Sequence, residues 1–233
     1  MVIINIIGAI NIASFFVEIF MIIKTIMKND DEYSYYLRNI NNPPEKLYCL
    51  GNTELLRERC ISIVGTRKST PKGDYIAKTI SQNLSKQGYV IVSGLAMGID
   101  RQAHLGAIKN NCRTICVLGS GFKNLYPKEN YELFNYIITN GGLAISEYEP
   151  NKKATPDKFP MRNRIISGLS ESIIVVEAGL KSGSLITAEL GMEQGRSIYA
   201  IPGDIFSKNH KGTNWLILNG ATPLISIDKN ICL

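Results

Sequence analysis

The feature that most constrains this chain is a repeated alternation of short apolar, β-branched runs with amphipathic windows, which begins at Cys60. We predict strands at 61–65, 89–93, 113–118, 143–146, 172–177 and 197–201, and helices at 72–87, 100–110, 130–139, 163–168 and 183–194. Strands that are apolar throughout and alternate with helices indicate a parallel sheet covered on both faces. The pattern therefore predicts an α/β fold, an extended Rossmann-like, doubly wound and mostly parallel sheet over residues 60–228.

Each predicted strand is followed by small, polar or glycine-rich residues. Ligands of open α/β sheets bind along this carboxyl edge, where glycine lets backbone N–H groups approach an anion and helix N-termini attract negative charge. The agreement among several loops favours a polyanion-binding edge over turn formation alone. The candidate phosphate-binding residues are Gly65, Thr66, Ser93, Gly94, Gly119, Ser120, Gly121, Ser182, Gly183 and Ser184.

The segment FPMRNRIISGLS, residues 159–170, carries two arginines beside an asparagine. The net charge of the chain is +6, and residues 151–170 supply much of the excess. We expect Asn163 to cap a short helix, with Arg162 just outside its start and Arg164 in its first turn. Cations there oppose the helix dipole unless an external anion lies between them, and Phe159 offers a flat surface for a base. The segment thus predicts a groove for single-stranded nucleic acid.

Other chemistry is not supported by the motifs. The chain has neither the P-loop spacing GxxxxGK[ST] nor a GxGxxG fingerprint, and its two histidines have no evident nucleophile partner. The five cysteines form no CxxC pair, so we interpret them as reduced core or surface residues. We therefore predict no catalytic residue, no cofactor and no metal site.

We predict that the first 38 residues form a helical segment, which is apolar over residues 1–28. Residues 39–59 are rich in Asn, Pro and Gly, which predicts a connector. A membrane helix would have sufficient length, but Glu18 near its centre would cost about 2 kcal/mol or more. We favour a segment packed on the main domain, or a remnant of a larger domain, and leave membrane insertion open for residues 1–28.

Several stretches together resemble the DprA/Smf family of DNA-processing proteins. They are PPEKLYCLGN, ISIVGTRKSTPKG, YVIVSGLAMGIDRQAH, CVLGSGFKNLYPKEN, LAISEYEP, FPMRNRIISGLS, VVEAGLKSGSLITAELGMEQGRSIYAIPG and GTNWLILNGATPLI, which occur in the family's order over about residues 43–225. The combination is highly specific. With respect to the family, the chain resembles a short form without the usual helical N-terminal domain and C-terminal winged-helix-like domain.

The resemblance implies a cytoplasmic, non-enzymatic homodimer that binds single-stranded DNA, protects incoming strands in natural transformation and loads the RecA recombinase onto them. A lysine that often precedes the family's phenylalanine by three residues is replaced by Pro156 here, and nearby lysines are its candidate substitutes. The residues that the resemblance points to as DNA contacts are Arg67, Lys68, Lys152, Lys153, Lys158, Phe159, Arg162, Asn163 and Arg164. Trp215, Leu216 and Ile217 lie in the segment that resembles the family's dimer contact.

Two alternatives remain. A phosphoribohydrolase of the related lysine-decarboxylase-like group would have a similar fold, but its PGGxGTxxE signature is missing and Thr187 stands where the catalytic glutamate would be. A nucleotide-sensing module would hold a mononucleotide at the same strand-end loops.

Overall fold

The structure is a computed structural model that describes residues 22–226, so the predictions for residues 1–21 and 227–233 lie outside the described residues. Within the described part, nine strands form one mixed sheet in the order β1-β2-β6-β5-β4-β3-β7-β8-β9. The strands are β1 Lys24–Met27, β2 Lys46–Gly51, β3 Cys60–Val64, β4 Val90–Ser93, β5 Thr114–Val117, β6 Leu143–Ser146, β7 Ser172–Val175, β8 Ser197–Ala200 and β9 Thr222–Pro223.

Seven α-helices accompany the sheet in residues 22–226. They are α1 Tyr35–Arg38, α2 Pro71–Lys86, α3 Ile99–Ile108, α4 Tyr131–Thr139, α5 Lys158–Leu169, α6 Gly183–Glu193 and α7 Lys211–Leu218. Three short 3₁₀ turns lie at Thr53–Arg57, Phe122–Asn124 and Lys128–Asn130.

The predicted doubly wound, mostly parallel sheet is confirmed. Strands β3 to β9 pair in parallel with their neighbours, and every predicted strand is present. Alternate residues of β3 enter two separate cores: Ile61 and Ile63 pack with α2 and α3, whereas Val64 belongs to the core that contains residues of α5 and α6. Both faces are therefore covered, which explains why these strands are apolar at nearly every position.

The N-terminal predictions are wrong for two segments of the described residues, although Tyr35–Arg38 is helical. Lys24–Met27 forms a strand where a helix was expected, and the expected connector contains a further strand, Lys46–Gly51. The two strands pair antiparallel, and β2 also pairs antiparallel with β6, which extends the sheet at this edge. Leu47 and Cys49 are buried while Lys46 and Tyr48 are partly exposed, so β2 does carry a period of two. The Asn and Pro residues before β2 favoured the prediction of a connector, so this strand was missed.

The helix predicted at 163–168 instead begins at Lys158, so the expectation that Asn163 caps it and that Arg162 lies outside it is wrong. Pro160 occupies the third position of the helix. Proline is tolerated in a first turn because the backbone N–H groups there have no partner within the helix. The sequence FPMRNR is therefore helical throughout, and its arginines lie on the body of the helix.

The sheet places a topological switch point between β3 and β7. From β3 the chain adds β4, β5 and β6 on one side, and β7, β8 and β9 then follow on the other. The loops after β3 and β7 diverge at this point and leave a crevice at the carboxyl edge, which is where open α/β sheets bind ligands. None of the helices in residues 22–226 has the length and hydropathy needed to cross a membrane.

Candidate nucleic-acid interface

A cavity of about 550 Å³ opens at the switch point between β3 and β7. Its walls are the loop 64–68 after β3, the loop 179–184 after β7, and residues 208–209. The first turns of α3, α5 and α6 also reach it, through Asp100, through Phe159 and through Gly183. Helix α5 borders the cavity along its side, through Phe159, Arg162 and Ile166, whereas α6 presents its N-terminal residues to it. The positive end of the α6 dipole favours an anionic ligand there.

The lining of this cavity is strongly basic. It includes five basic side chains, Arg67, Lys68, Arg162, Lys181 and Lys208, and one acid, Asp100. All of them except Arg162 and Asp100 are exposed. The four exposed cations have no ion-pair partner among the described residues, so their charge is available to a ligand. The prediction of Arg67 and Lys68 as neighbours of a polyanion is consistent with this geometry.

Lys181 and Lys208 were missing from the predicted contacts. Lys181 directly precedes the serine-rich start of α6, a signal that could have identified it. Lys208 follows β8 in a loop with no basic cluster of its own. Only the sheet order, in which β8 lies beside β7, brings this loop to the cavity.

Arg162 forms the inner wall of the cavity and is 5% exposed. Its Nη1 donates hydrogen bonds to the backbone oxygens of Gly94 at 2.7 Å and Val117 at 2.6 Å, which ties α5 to the ends of β4 and β5. Burial lowers the pKa of the guanidinium to about 10, which still leaves it charged at neutral pH. Burial also raises the pKa of Asp100, an effect that the charge of Arg162 opposes. Arg162 is therefore chiefly a structural cation at the base of the site.

Phe159 is partly buried, and cations surround its ring. The guanidinium carbon of Arg67 lies 5.5 Å from the ring centroid and that of Arg162 lies 5.8 Å from it, both within the range of cation–π attraction. The ring of Tyr126 lies 5.6 Å away at an angle of 55°. These contacts hold Phe159 and support Arg67 at the mouth of the cavity.

The start of α6 supplies hydroxyl groups and backbone N–H groups. Ser182 caps the helix, since its Oγ accepts a hydrogen bond from the N–H of Ser184 at 3.4 Å. Asn163 of α5 donates from Nδ2 to the backbone oxygen of Gly183 at 3.2 Å, so the second turn of α5 is joined to the start of α6. The phosphate-binding predictions at Gly65, Thr66, Ser182, Gly183 and Ser184 all fall on residues that line the cavity.

The carboxylate of Glu177, at the end of β7, fixes two loops of the site. It is 1% exposed and accepts hydrogen bonds from the backbone N–H of Thr70 at 2.9 Å and from Nδ2 of Asn209 at 3.1 Å. The hydroxyl of Thr70 also donates to it. Asn209 in turn donates to the backbone oxygen of Lys68 at 3.0 Å. The exposed cations at 67–68 and 208 are thereby held on a common frame.

Arg164 and Lys158 lie outside the lining of the cavity, although both were predicted as DNA contacts. Arg164 points to the end of β6, where its Nη2 lies 2.7 Å from Oε2 of Glu147 in a largely buried ion pair. Lys158 is buried and donates from Nζ to the backbone oxygen of Lys153. Helical periodicity accounts for Arg164, which lies two positions from Arg162 and therefore faces a different side of α5. Lys158 is kept from the cavity by its hydrogen bond to the preceding loop. Lys152 and Lys153 are exposed on the preceding loop.

The remaining phosphate-binding predictions also lie outside the main cavity. Ser93 is buried and its hydroxyl donates to the backbone oxygen of Ile63 at 2.7 Å. Ser120 is buried, Gly121 donates its N–H to the backbone oxygen of Lys152 at 2.8 Å, and Gly119 packs beneath the ring of Phe159. Gly94 borders a smaller neighbouring cleft. The loop after β5 is thus covered by protein and is not open to a strand.

The three predicted dimer contacts differ in their exposure to solvent. Trp215 is 38% exposed, but Leu216 is fully buried, so its assignment to a surface contact is wrong. Ile217 packs partly against the core. Because α7 covers the sheet next to β8, one side of the helix must face inward. Leu218 on this helix and Phe206 in the preceding loop are highly exposed, at 85% and 84%.

Residues 22–226 contain no group of three or more His, Cys, Asp or Glu side chains placed to hold a metal ion. Thr187, which stands where the related hydrolases carry a glutamate, lines the cavity and donates its hydroxyl to the backbone oxygen of Gly183. His104 is buried and hydrogen-bonds Thr114 at 2.7 Å, and burial lowers its pKa to about 3.

Comparison with known proteins places this geometry in context. A family model described as DNA recombination-mediator protein A matches residues 24–232. The DNA processing protein DprA of Bacillus subtilis is 42% identical over 207 residues, which cover 88% of this chain and 69% of that protein.

Two solved structures are also similar. The X-ray structure of DNA processing protein A from Streptococcus pneumoniae has a TM-score of 0.84 at 39% identity and covers 93% of this chain and 76% of that one. A structure of DNA processing protein A from Helicobacter pylori, described by its single-stranded DNA binding mode, has a TM-score of 0.81 at 32% identity and covers 89% and 93% of the two chains.

Proposed function

Since the chain belongs to the DNA recombination-mediator protein A family, we propose that it binds single-stranded DNA in the basic cavity between β3 and β7. The observation that carries the proposal is the set of four exposed cations without an ion-pair partner among the described residues, Arg67, Lys68, Lys181 and Lys208, around the N-terminus of α6. The single-stranded DNA binding mode described for the Helicobacter pylori relative supports the same ligand.

The chemistry of the cavity favours a strand without sequence preference. The cations and the backbone N–H group of Gly183 are suited to phosphate oxygens, which every sequence presents alike. Phe159 supplies an aromatic surface, partly exposed, on which any base can stack. A duplex keeps its bases stacked inside, so a site that uses an aromatic ring in this way prefers a single strand.

Arg67→Ala is the most direct test. Arg67 is exposed and its side chain anchors no other loop by a hydrogen bond that the structure shows, so the variant should fold as the wild type does. We expect its dissociation constant for fluorescein-labelled oligo-dT, measured by fluorescence anisotropy, to rise about tenfold. The slope of log affinity against log salt should fall by about 0.7, the value for one phosphate of a single strand.

Arg57→Ala is the matched control. Arg57 is an exposed arginine just before β3, at the opposite end of that strand from the cavity, and its removal changes the net charge equally. Its affinity should stay within twofold of wild type. Equal effects of the two substitutions on the dissociation constant would show that binding depends only on the net charge of the protein, and would refute the assigned site. Competition by mononucleotides as effective as by oligo-dT would instead favour nucleotide sensing.

The wider role follows from the family and forms part of the proposal. We assign the chain to DNA processing during natural transformation in the cytoplasm, where it protects incoming single strands and loads the RecA recombinase onto them. The bound strand itself needs no chemical change for this role, so we propose that the protein is not an enzyme. We propose that the DNA-binding site belongs to the domain predicted over residues 60–228, whose sheet β1 and β2 extend at one edge.

A homodimer is proposed through the apolar surface beside β9. Five large apolar side chains are exposed there: Ile205, Phe206, Trp215, Leu218 and Ile225. The loop with the first two is tied to α7, because Asn214 accepts a hydrogen bond from the N–H of Gly203 and donates one to its oxygen. An exposed apolar surface of this kind is typical of a protein contact, and a second copy would bury it in a symmetric interface.

A further inference from the structure

A second, smaller cleft of about 50 Å³ adjoins the main cavity. The two share Arg67, Ala96, Phe159 and Arg162, while Met97 and Tyr126 line only the smaller one. The cleft is thus continuous with the proposed DNA site, and a strand that leaves the main cavity past Arg67 would enter it next.

The cleft exposes apolar surface at a basic site. Tyr126 is 50% exposed and Met97 is 37% exposed. Two of the residues that line the cleft, Arg67 and Arg162, are cations, and none of its described lining residues is acidic. Flat or polarisable apolar side chains beside cations are the combination that holds nucleobases while the charges hold phosphates.

The walls of the cleft are fixed to each other. Asn130, which is fully buried, donates from Nδ2 to the backbone oxygens of Leu95 at 2.8 Å and Ala96 at 3.2 Å. Its Oδ1 accepts a hydrogen bond from Nη1 of Arg101 at 2.7 Å. The loop that carries Met97 is therefore held against the turn that carries Tyr126. A ligand at this cleft would not have to order either segment, so little conformational entropy would be lost on binding.

We propose that one nucleobase of the bound strand stacks on Tyr126 and Met97 at this cleft, next to the nucleotide whose phosphate contacts Arg67. The proposal rests on the single-stranded DNA binding proposed above. A volume of about 50 Å³ is too small to enclose a ligand, so the base rests on the mouth of the cleft with one face open. Tyr126 and Phe159, with ring centroids 5.6 Å apart, then form two neighbouring stacking surfaces.

Tyr126→Ala and Tyr126→Phe test the proposal by fluorescence anisotropy with labelled oligo-dT. We expect the alanine variant to raise the dissociation constant at least about fivefold, and the phenylalanine variant to stay within about twofold of wild type, because stacking needs only the ring. Tyr136→Ala is the matched control. Tyr136 is 49% exposed on α4, away from the residues that line either cavity, and its removal should not change the affinity.

A series of oligonucleotides with a single abasic site identifies the contact itself. In the wild type, removing one particular base should weaken binding, and this effect should vanish in Tyr126→Ala, since the two changes remove the same interaction. If wild type binds and Arg67→Ala weakens binding while Tyr126→Ala does not, the stacking site is wrong and the proposed function stands. A weaker Tyr126→Ala whose abasic profile matches wild type would also overturn the stacking site. Failure of the wild type to bind any strand would refute both proposals.

Discussion

Replacement of Arg162 by alanine should chiefly lower the free energy of unfolding, and any loss of a direct DNA contact should be secondary. The side chain is 5% exposed and its Nη1 joins the backbone oxygens of Gly94 and Val117, at the ends of two neighbouring strands. Asp100 lies in the same buried region, where its carboxylate accepts a hydrogen bond from the N–H of Gly94 at 3.1 Å. Truncation therefore removes a bridge between α5 and the sheet and leaves a buried carboxylate without its nearby cation.

The expected magnitude follows from the burial of both groups. Arg162 and Asp100 influence each other's charge but form no ion pair within 4 Å, so the cost of about 3–5 kcal/mol for breaking a buried ion pair is the upper bound here. The combined variant Arg162→Met with Asp100→Asn should lose clearly less, since both charges are gone and the asparagine oxygen still accepts from Gly94. Urea unfolding of the wild type, the single variants and the combined variant measures these differences.

The loss of unfolding free energy in Arg162→Ala should also depend on pH. Burial raises the pKa of Asp100, so between its ordinary value of about 4 and its raised value the folded state binds more protons than the unfolded state. The free energy of unfolding therefore falls as pH rises through this interval. Removal of the Arg162 charge raises the pKa of Asp100 further, so the deficit of the variant should grow from pH 4 toward neutral pH.

A loss below about 1 kcal/mol in Arg162→Ala at neutral pH would refute this reasoning. So would a deficit that shrinks as pH rises. Arg57→Ala provides the baseline for an exposed arginine and should change the free energy of unfolding by less than about 0.5 kcal/mol.

Two further predictions concern the loop frame and the dimer. Glu177→Ala should lower the free energy of unfolding by about 3 kcal/mol, because Thr70 and Asn209 lose a buried charged acceptor. Glu177→Gln keeps an acceptor oxygen and should cost only about 1 kcal/mol, so equal losses in urea unfolding would count against the hydrogen-bonded frame. Phe206→Lys with Leu218→Lys should convert a dimer to monomer in sedimentation equilibrium, with an unchanged far-UV circular dichroism spectrum because both side chains are more than four-fifths exposed in one copy. An unchanged mass would exclude this surface as the contact.

The sequence could place a residue at the candidate site only where the neighbouring residues showed that it follows a strand or starts a helix. Arg67 and Ser182 lie in loops that follow predicted strands, so their place at the carboxyl edge of the sheet could be predicted from the sequence. That they share one cavity depends on the pairing of β3 with β7, which only the structure shows. Arg162 and Arg164 could not be separated in this way, because their different surroundings depend on a helix that begins at Lys158, several residues earlier than expected. Lys208 had no local signal at all.

The sequence by itself determined the fold of the central sheet, because apolar β-branched runs and amphipathic windows have periods that only strands and helices satisfy. It also determined that glycine, hydroxyl and basic residues collect at the carboxyl edge. The tertiary structure decided which of the cations face a ligand. Arg164 is neutralised by Glu147, Lys158 is buried against the loop before it, and Arg162 joins two strand ends. A charge is available for binding only when the folded chain leaves it solvated and unpaired, and that property depends on partners distant in sequence.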